Sequence, residues 1–141
     1  MDLGALYQEV ILDHNRAPRN FGELTGASAS AAGVNPLCGD EVTVWLKVEN
    51  GTSADASFVG TGCAISKASA SMMTQAIKGK SLAEADVLFA GFHGMVTGQP
   101  RDDDMTALGK LKVFSGVARF PSRVKCASLA WHAMREALAG K

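Results

Sequence analysis

Hydrophobic residues near the N-terminus recur with the period of an amphipathic helix. Over residues 3–13 the apolar side chains are spaced three and four residues apart, which gives a helix one apolar face: Leu3, Leu6, Tyr7, Val10 and Ile11. Residues 15–37 are instead rich in Gly, Ala, Ser, Asn and Pro. They are predicted to form a loop, with one short strand at 28–33.

Apolar and other residues alternate in the middle of the chain. The alternation covers residues 42–48 and, beyond a short break, residues 54–58, which is the period of a strand with one buried face. Asn50-Gly51 stands between the two segments and is the dipeptide that most favours a tight hairpin turn. The pattern therefore predicts an antiparallel hairpin.

The second half of the chain is predicted to be mainly helical. Residues 63–78 contain neither Pro nor Gly and are followed by Gly79, a residue that commonly ends helices. Ser81 and Glu84 have the spacing of a capping box, which opens the next helix. Residues 91–104 hold several glycines, Pro100 and a run of three aspartates, and we expect a solvated surface loop there.

Two further helices, over residues 105–114 and 121–138, complete the prediction. The chain has 141 residues, of which 47% are hydrophobic, so it can form one domain with a real core. We expect an α+β fold in which several helices cover a short antiparallel sheet of about three strands. That single domain is expected to span residues 1–141.

The charge balance and the number of cysteines reduce the range of possible functions. Fourteen basic and fourteen acidic residues cancel, so no overall field favours nucleic acid or an anionic membrane. No basic, apolar leader and no apolar run of about 18 residues is present. Three cysteines, an odd number, argue against a disulfide framework. We therefore expect a cytoplasmic protein whose cysteines bind metal or react.

The three cysteines and one aspartate suggest a metal site. Cys38 lies in a Pro/Gly loop two residues before Asp40, Cys63 at the start of a predicted helix, and Cys126 near the start of the last helix. Helix N-termini stabilise thiolates, and a divalent cation would hold converging thiolates together. Sulfur-rich ligation favours zinc or an iron–sulfur cluster. The flexible Gly39 makes Cys38 the candidate nucleophile.

Alternatives that assign these residues no chemistry also exist. A cysteine in a cytosolic protein is often a small buried hydrophobe, and the spacings of 24 and 62 residues match no short metal finger. Asp40 could be a carboxylate at a turn or strand edge. The three histidines carry no clear signal: we expect His14 at a helix end, His93 in a loop and His132 on a helix face.

The sequence around these residues resembles the U-type iron–sulfur cluster assembly proteins. The resemblance covers nearly the whole chain and is carried by motifs in a fixed order: Leu6-Tyr7 through Asp13-His14, Pro18-Arg19-Asn20, Asn35-Pro36-Leu37-Cys38-Gly39-Asp40, Gly62-Cys63-Ala64-Ile65-Ser66 and Arg123-Val124-Lys125-Cys126-Ala127 with Leu129-Ala130-Trp131. Within this family the chain is most similar to the zinc-binding SufU-like branch. Where the scaffold branch has a histidine before its third cysteine, this chain has Lys125, which has no lone pair to donate at neutral pH.

The resemblance implies an IscU/SufU-like fold and a zinc-dependent sulfurtransferase. Zinc would be held by Cys38, Asp40, Cys63 and Cys126. A PLP-dependent, SufS-like cysteine desulfurase would donate persulfide sulfur to the catalytic Cys38, for delivery to the downstream iron–sulfur assembly machinery.

The same interpretation assigns roles to two auxiliary residues and leaves two other functions open. Lys125 would offset the negative charge of the site, and Arg123 would help to hold the anionic site or a docking partner. The alternative function is a scaffold on which a [2Fe–2S] cluster is assembled and transferred, with the same ligands. A purely structural zinc site is the third hypothesis.

Overall fold

The computed structural model describes residues 3–36, 39–101 and 106–139, without the side chains of residues 3, 4 and 6. Its elements in chain order are helix α1 (Leu3–Arg16), strands β1 (Ala29–Asn35), β2 (Asp40–Glu49) and β3 (Thr52–Thr61), helices α2 (Ala64–Ile77) and α3 (Leu82–Val96), a 3-10 helix (Gly109–Arg119) and helix α4 (Pro121–Ala139). The predicted α+β fold is confirmed.

The three strands form an antiparallel sheet in the order β1-β2-β3. Asn50 and Gly51 close the predicted β2–β3 hairpin with φ values of 53° and 73°, the left-handed conformation that this dipeptide adopts readily. Buried residues alternate along the first part of β2 and include Val44 and Leu46, both 0% exposed. Asp40, at the start of β2, is on this same buried face.

Helices α2 and α4 pack against each other and cover the sheet. A buried polar contact fixes their relative position, because the hydroxyl of Ser69 in α2 donates to the backbone carbonyl of Ala127 in α4. The indole N–H of Trp131 donates in turn to the Ser69 hydroxyl at 3.2 Å. Phe92 of α3 stacks on Trp131 with ring centroids 4.5 Å apart. These contacts fix how α2 and α4 lie along each other, and so how close the first turns of α4 come to the start of α2.

The predicted loop over residues 91–104 is wrong for its first part, because α3 continues to Val96. The glycines there allow close packing instead of ending the helix. Gly91 is buried, and a Cβ on Gly94 would lie 3.0 Å from the carbonyl oxygen of Gln99. His93, which was expected in a loop, is therefore a helical residue.

The helix predicted over residues 105–114 is present in the described residues and continues further than expected. Residues 106–108 are α-helical, and a 3-10 helix follows at Gly109–Arg119, which buries Leu111, Phe114 and Val117. The run of three aspartates and Met105 lie outside the described residues. No helix within the described ranges is long and apolar enough to cross a membrane.

His14 is buried at the end of α1, in a setting that the sequence did not predict. It is 7% exposed, and its Nδ1 lies 2.7 Å from the hydroxyl of Ser71 in α2. That hydroxyl accepts the backbone N–H of Arg19 at 2.8 Å. Its own proton is then available to Nδ1, which is the arrangement of a neutral imidazole that accepts a hydrogen bond.

We expect His14 to make the protein less stable in mild acid. Burial lowers the pKa of His14, the positive charge of Arg19 lowers it further, Asp13 opposes the shift, and Lys110 adds to it. The unfolded chain therefore binds the proton more readily than the folded one. The free energy of unfolding should fall as the pH drops below about 6.5, by at most about 1.4 kcal/mol per pH unit for one proton.

Urea unfolding at several pH values between 7.5 and 5 tests this prediction. The variant His14→Gln keeps a hydrogen-bonding side chain but cannot titrate, so its stability should fall less steeply with acid than that of the original protein. The other groups with shifted pKa values, such as Asp13 and His132, are common to both proteins. Identical slopes would show that His14 does not contribute.

Candidate metal centre

Asp40 is the first of the three candidate ligands along the described chain. It is 0% exposed, and a carboxylate is rarely buried to that extent without partners. Its Oδ1 accepts the backbone N–H of Cys63 at 2.7 Å, while its Oδ2 lies 3.7 Å from the Cys63 sulfur. One carboxylate oxygen is therefore satisfied by the backbone, and the other faces a thiol group.

The approach of Cys63 to this carboxylate depends on the preceding residue. Gly62 has a φ of 133°, and a Cβ at this position would lie 2.8 Å from the Cα of Asp40. Cys63 is the N-cap of α2, and its sulfur accepts the backbone N–H of Ser66 at 3.4 Å. The N-terminal end of α2 and this N–H group both direct partial positive charge towards the sulfur.

Cys126 reaches the centre from the second turn of α4. It is 4% exposed, and the side-chain amide of Asn35 lies 4.0 Å from its sulfur. Asn35 is the last residue of β1 and is paired in register with Asp40. The end of the paired strands β1 and β2 therefore lies next to both the carboxylate of Asp40 and the sulfur of Cys126.

The ligand atoms of Asp40, Cys63 and Cys126 all lie within 4.8 Å of one another. Zinc binds sulfur at about 2.3 Å and carboxylate oxygen at about 2.0–2.2 Å in a tetrahedral site, so neighbouring ligand atoms are about 3.5 Å apart. The 3.7 Å separation of the Asp40 and Cys63 atoms agrees with this geometry. Three of the four residues singled out in the sequence are thus brought together. The fourth, Cys38, lies outside the described residues.

Tyr7 is near this centre, although the sequence analysis assigned it only to the apolar face of α1. Burial raises the pKa of its hydroxyl, Arg123 lowers it, and the charges of Cys63 and Cys126 raise it further. The hydroxyl is buried and makes no hydrogen bond to any described residue. The helical periodicity of the sequence did not indicate this position of Tyr7, because a tyrosine on an apolar helix face is normally assigned to the core.

The two predicted auxiliary residues are exposed on α4. The guanidinium of Arg123 lies over the ring of Phe120, 4.5 Å from its centroid. Lys125 lines a groove between β1 and α4, beside the candidate centre. Within the described part of the chain, no ion pair joins either side chain to Asp40. Their predicted roles at the metal centre therefore remain predictions.

His93 of α3 and His132 of α4 also line this groove. Their ring centroids are 5.7 Å apart, and the ring of Phe89 packs against both. Burial lowers the pKa of His132, and the neighbouring His93 and Arg135 lower it further. The sequence analysis expected little of these histidines, because α3 and α4 bring them together only in the folded chain.

Comparison with known proteins identifies a family and close relatives. The family described as NifU-like N terminal domain matches residues 6–139. The zinc-dependent sulfurtransferase SufU of Bacillus subtilis is 43% identical over 138 residues, which is 98% of this chain and 92% of that protein. The iron–sulfur cluster assembly scaffold protein IscU of Streptococcus pyogenes is also 43% identical, over 136 residues, which is 96% of this chain and 84% of that protein.

Solved structures share the fold. A crystal structure from Fervidobacterium islandicum, of a protein described as a candidate iron–sulfur cluster assembly scaffold for the SUF system, is similar with a TM-score of 0.88 and 34% identity. The match covers 95% of this chain and 97% of that one. A crystal structure of a hypothetical protein gives a TM-score of 0.89 at 41% identity, over 96% and 98% of the two chains.

Proposed function

We propose that this chain, which belongs to the NifU-like N-terminal domain family, takes up sulfur for iron–sulfur cluster assembly at a zinc-binding centre. The observation that carries the proposal is the convergence of a carboxylate and two thiols, from three distant parts of the sequence, within 4.8 Å. The relative named as a zinc-dependent sulfurtransferase, at 43% identity, supports the same assignment.

Asp40, Cys63 and Cys126 would hold the zinc ion, with Cys38 as the fourth ligand. Two sulfurs and a carboxylate oxygen are a donor set that zinc accepts in tetrahedral geometry. When bound, zinc supplies a positive charge that keeps the thiols deprotonated at neutral pH. The protein itself fixes the carboxylate, because the backbone N–H of Cys63 holds one oxygen of Asp40 in place.

The sulfur transfer itself would be a thiol–persulfide exchange at Cys38. Its thiolate attacks the terminal sulfur of the persulfide on a PLP-dependent cysteine desulfurase, and a new sulfur–sulfur bond forms. The bond between that sulfur and the donor cysteine breaks, and the donor leaves as a thiolate. No net oxidation or reduction occurs, so the step needs no further reactant.

Replacement of Cys38 tests this proposal. We expect Cys38→Ala to abolish the stimulation of a cysteine desulfurase by this protein, and to leave no protein carrying one extra sulfur atom in a mass spectrum. Leu37→Ala is the matched control, since it shortens the neighbouring side chain in the sequence without removing a thiol, and it should retain sulfur uptake. Full stimulation by Cys38→Ala would contradict the proposal.

The second candidate function is a scaffold for a [2Fe–2S] cluster. It is supported by the relative named as a scaffold protein, which is as similar to this chain as the sulfurtransferase. Lys125 favours sulfur transfer, because an ammonium group cannot serve as a ligand next to Cys126. Anaerobic reconstitution in the presence of zinc separates the two: a stable, transferable cluster at stoichiometric yield would favour the scaffold.

A further inference from the structure

The two edges of the sheet differ in how their backbone groups are paired. At the β3 edge, Phe58 donates its N–H to the carbonyl of Asn20 at 3.0 Å and accepts the N–H of Gly22 at 2.8 Å. Ser53 on the same strand donates to Lys80 at 2.8 Å. Among the described residues, no comparable backbone bond reaches the outer edge of β1 between Ala29 and Val34. Over these residues β1 is therefore the edge of the sheet to which no other described segment is hydrogen-bonded.

The composition of β1 offers little protection against the addition of another strand. Its seven residues, Ala29 to Asn35, include no charged side chain and no proline, the two features that commonly block pairing at an edge. Val34 is 59% exposed near the end of the strand. An open, uncharged edge of this kind presents backbone donors and acceptors to an extended segment of another chain.

The groove beside this edge has the chemistry of a site for an anionic side chain. It encloses about 380 Å³ between the end of β1 and helix α4. Its polar rim includes Lys125, His93 and His132, and no acidic residue lines it. The hydroxyl of Ser128, a residue only 6% exposed, also lies in the lining and makes no hydrogen bond to a described residue. An ammonium group, two imidazoles and an unpaired hydroxyl are complementary to a carboxylate.

We propose that the outer edge of β1 accepts an extended segment of a partner protein, with an acidic side chain of that segment held in the groove. Backbone hydrogen bonds to β1 would supply the pairing, and the carboxylate would fix its register against Lys125. A second copy of this chain fits less well, since it would bring a second uncharged strand and no carboxylate. The proposal does not depend on whether the centre carries zinc or a cluster.

A peptide of alternating valine and glutamate, capped at both ends, is a suitable probe because strand addition tolerates many sequences. Titration into ¹⁵N-labelled protein should shift the backbone amides of β1 and slow their hydrogen exchange. A lysine-for-glutamate peptide should bind at least tenfold more weakly, and a peptide with alternate residues replaced by proline should not bind. Equal binding of the lysine peptide, or shifts confined to other elements, would overturn the proposal.

Two valine substitutions make the test specific. Val34→Glu places a like charge at the open edge and should weaken binding of the glutamate peptide by about tenfold. Val87→Glu on α3 is the matched control, because Val87 is 56% exposed and lies outside the groove. This control should bind normally.

Shifts of β1 amides that depend on protein concentration without peptide would show pairing between copies and would also overturn the proposal. Sulfur uptake by Cys38 is measured separately. It shows whether the proposed function holds even if the peptide does not bind to β1.

Discussion

Replacement of Gly62 by alanine should weaken metal binding at the candidate centre and destabilise the fold. The residue has a φ of 133°, where a side chain costs about 1–3 kcal/mol in backbone strain. The added Cβ would also lie 2.8 Å from the Cα of Asp40, so β2 or the start of α2 must move. We expect a loss of roughly 3–4 kcal/mol in the free energy of unfolding, with zinc binding weakened by at least tenfold.

Gly22→Ala is the matched control for this prediction. Gly22 has the same φ of 133°, but no atom lies within 4 Å of the position that its Cβ would occupy. It should therefore show the backbone strain alone, roughly 1–3 kcal/mol, and bind zinc normally. Urea unfolding and zinc titration of both variants measure the two effects. If Gly62→Ala behaves like Gly22→Ala in both experiments, the close contact with Asp40 is not what maintains the centre.

The sequence predicted those parts of the fold that local chemistry determines. The β2–β3 hairpin follows from alternation and one Asn-Gly turn. Helix α3 begins at the predicted capping box, in which Ser81 and Glu84 exchange both hydrogen bonds. Its extension to Val96 was missed because glycine ends helices in most settings. At Gly94 close packing favours glycine instead, and that packing depends on Gln99 as it lies in the folded chain.

Three residues of the candidate centre, Asp40, Cys63 and Cys126, could be picked out from the sequence, but their geometry could not. Cys63 and Asp40 carry a recognisable local context, and the structure adds that a backbone N–H joins them. Tyr7 and Asn35 could not be assigned to the centre from periodicity, because their roles depend on which elements pack together. The groove with His93 and His132 is hidden for the same reason, since α3 and α4 bring these residues together only in the folded chain.

Zinc binding should stabilise this protein substantially, and Asp40 should determine how much. A ligand present at a thousandfold excess over its dissociation constant stabilises the folded state by about 4 kcal/mol if the unfolded chain binds none. For a chain of this size, the melting temperature should then rise by roughly 8–16 °C. Calorimetry of the chelator-treated protein, before and after addition of one equivalent of zinc, measures the shift.

The variant Asp40→Asn separates the charge from the hydrogen bond. Its side-chain carbonyl can still accept the N–H of Cys63, but it lacks the anionic oxygen that lies 3.7 Å from the Cys63 sulfur. We expect zinc affinity to fall on the order of 10- to 100-fold, which reduces the stabilisation by about 1.4–2.7 kcal/mol.

An unchanged thermal shift in Asp40→Asn would remove this carboxylate from the proposed ligand set. A chelator-treated protein that is already unfolded at room temperature would instead favour a purely structural zinc site. We expect it to remain folded, because Val44, Leu46, Phe58 and Trp131 form a buried core that does not require the metal.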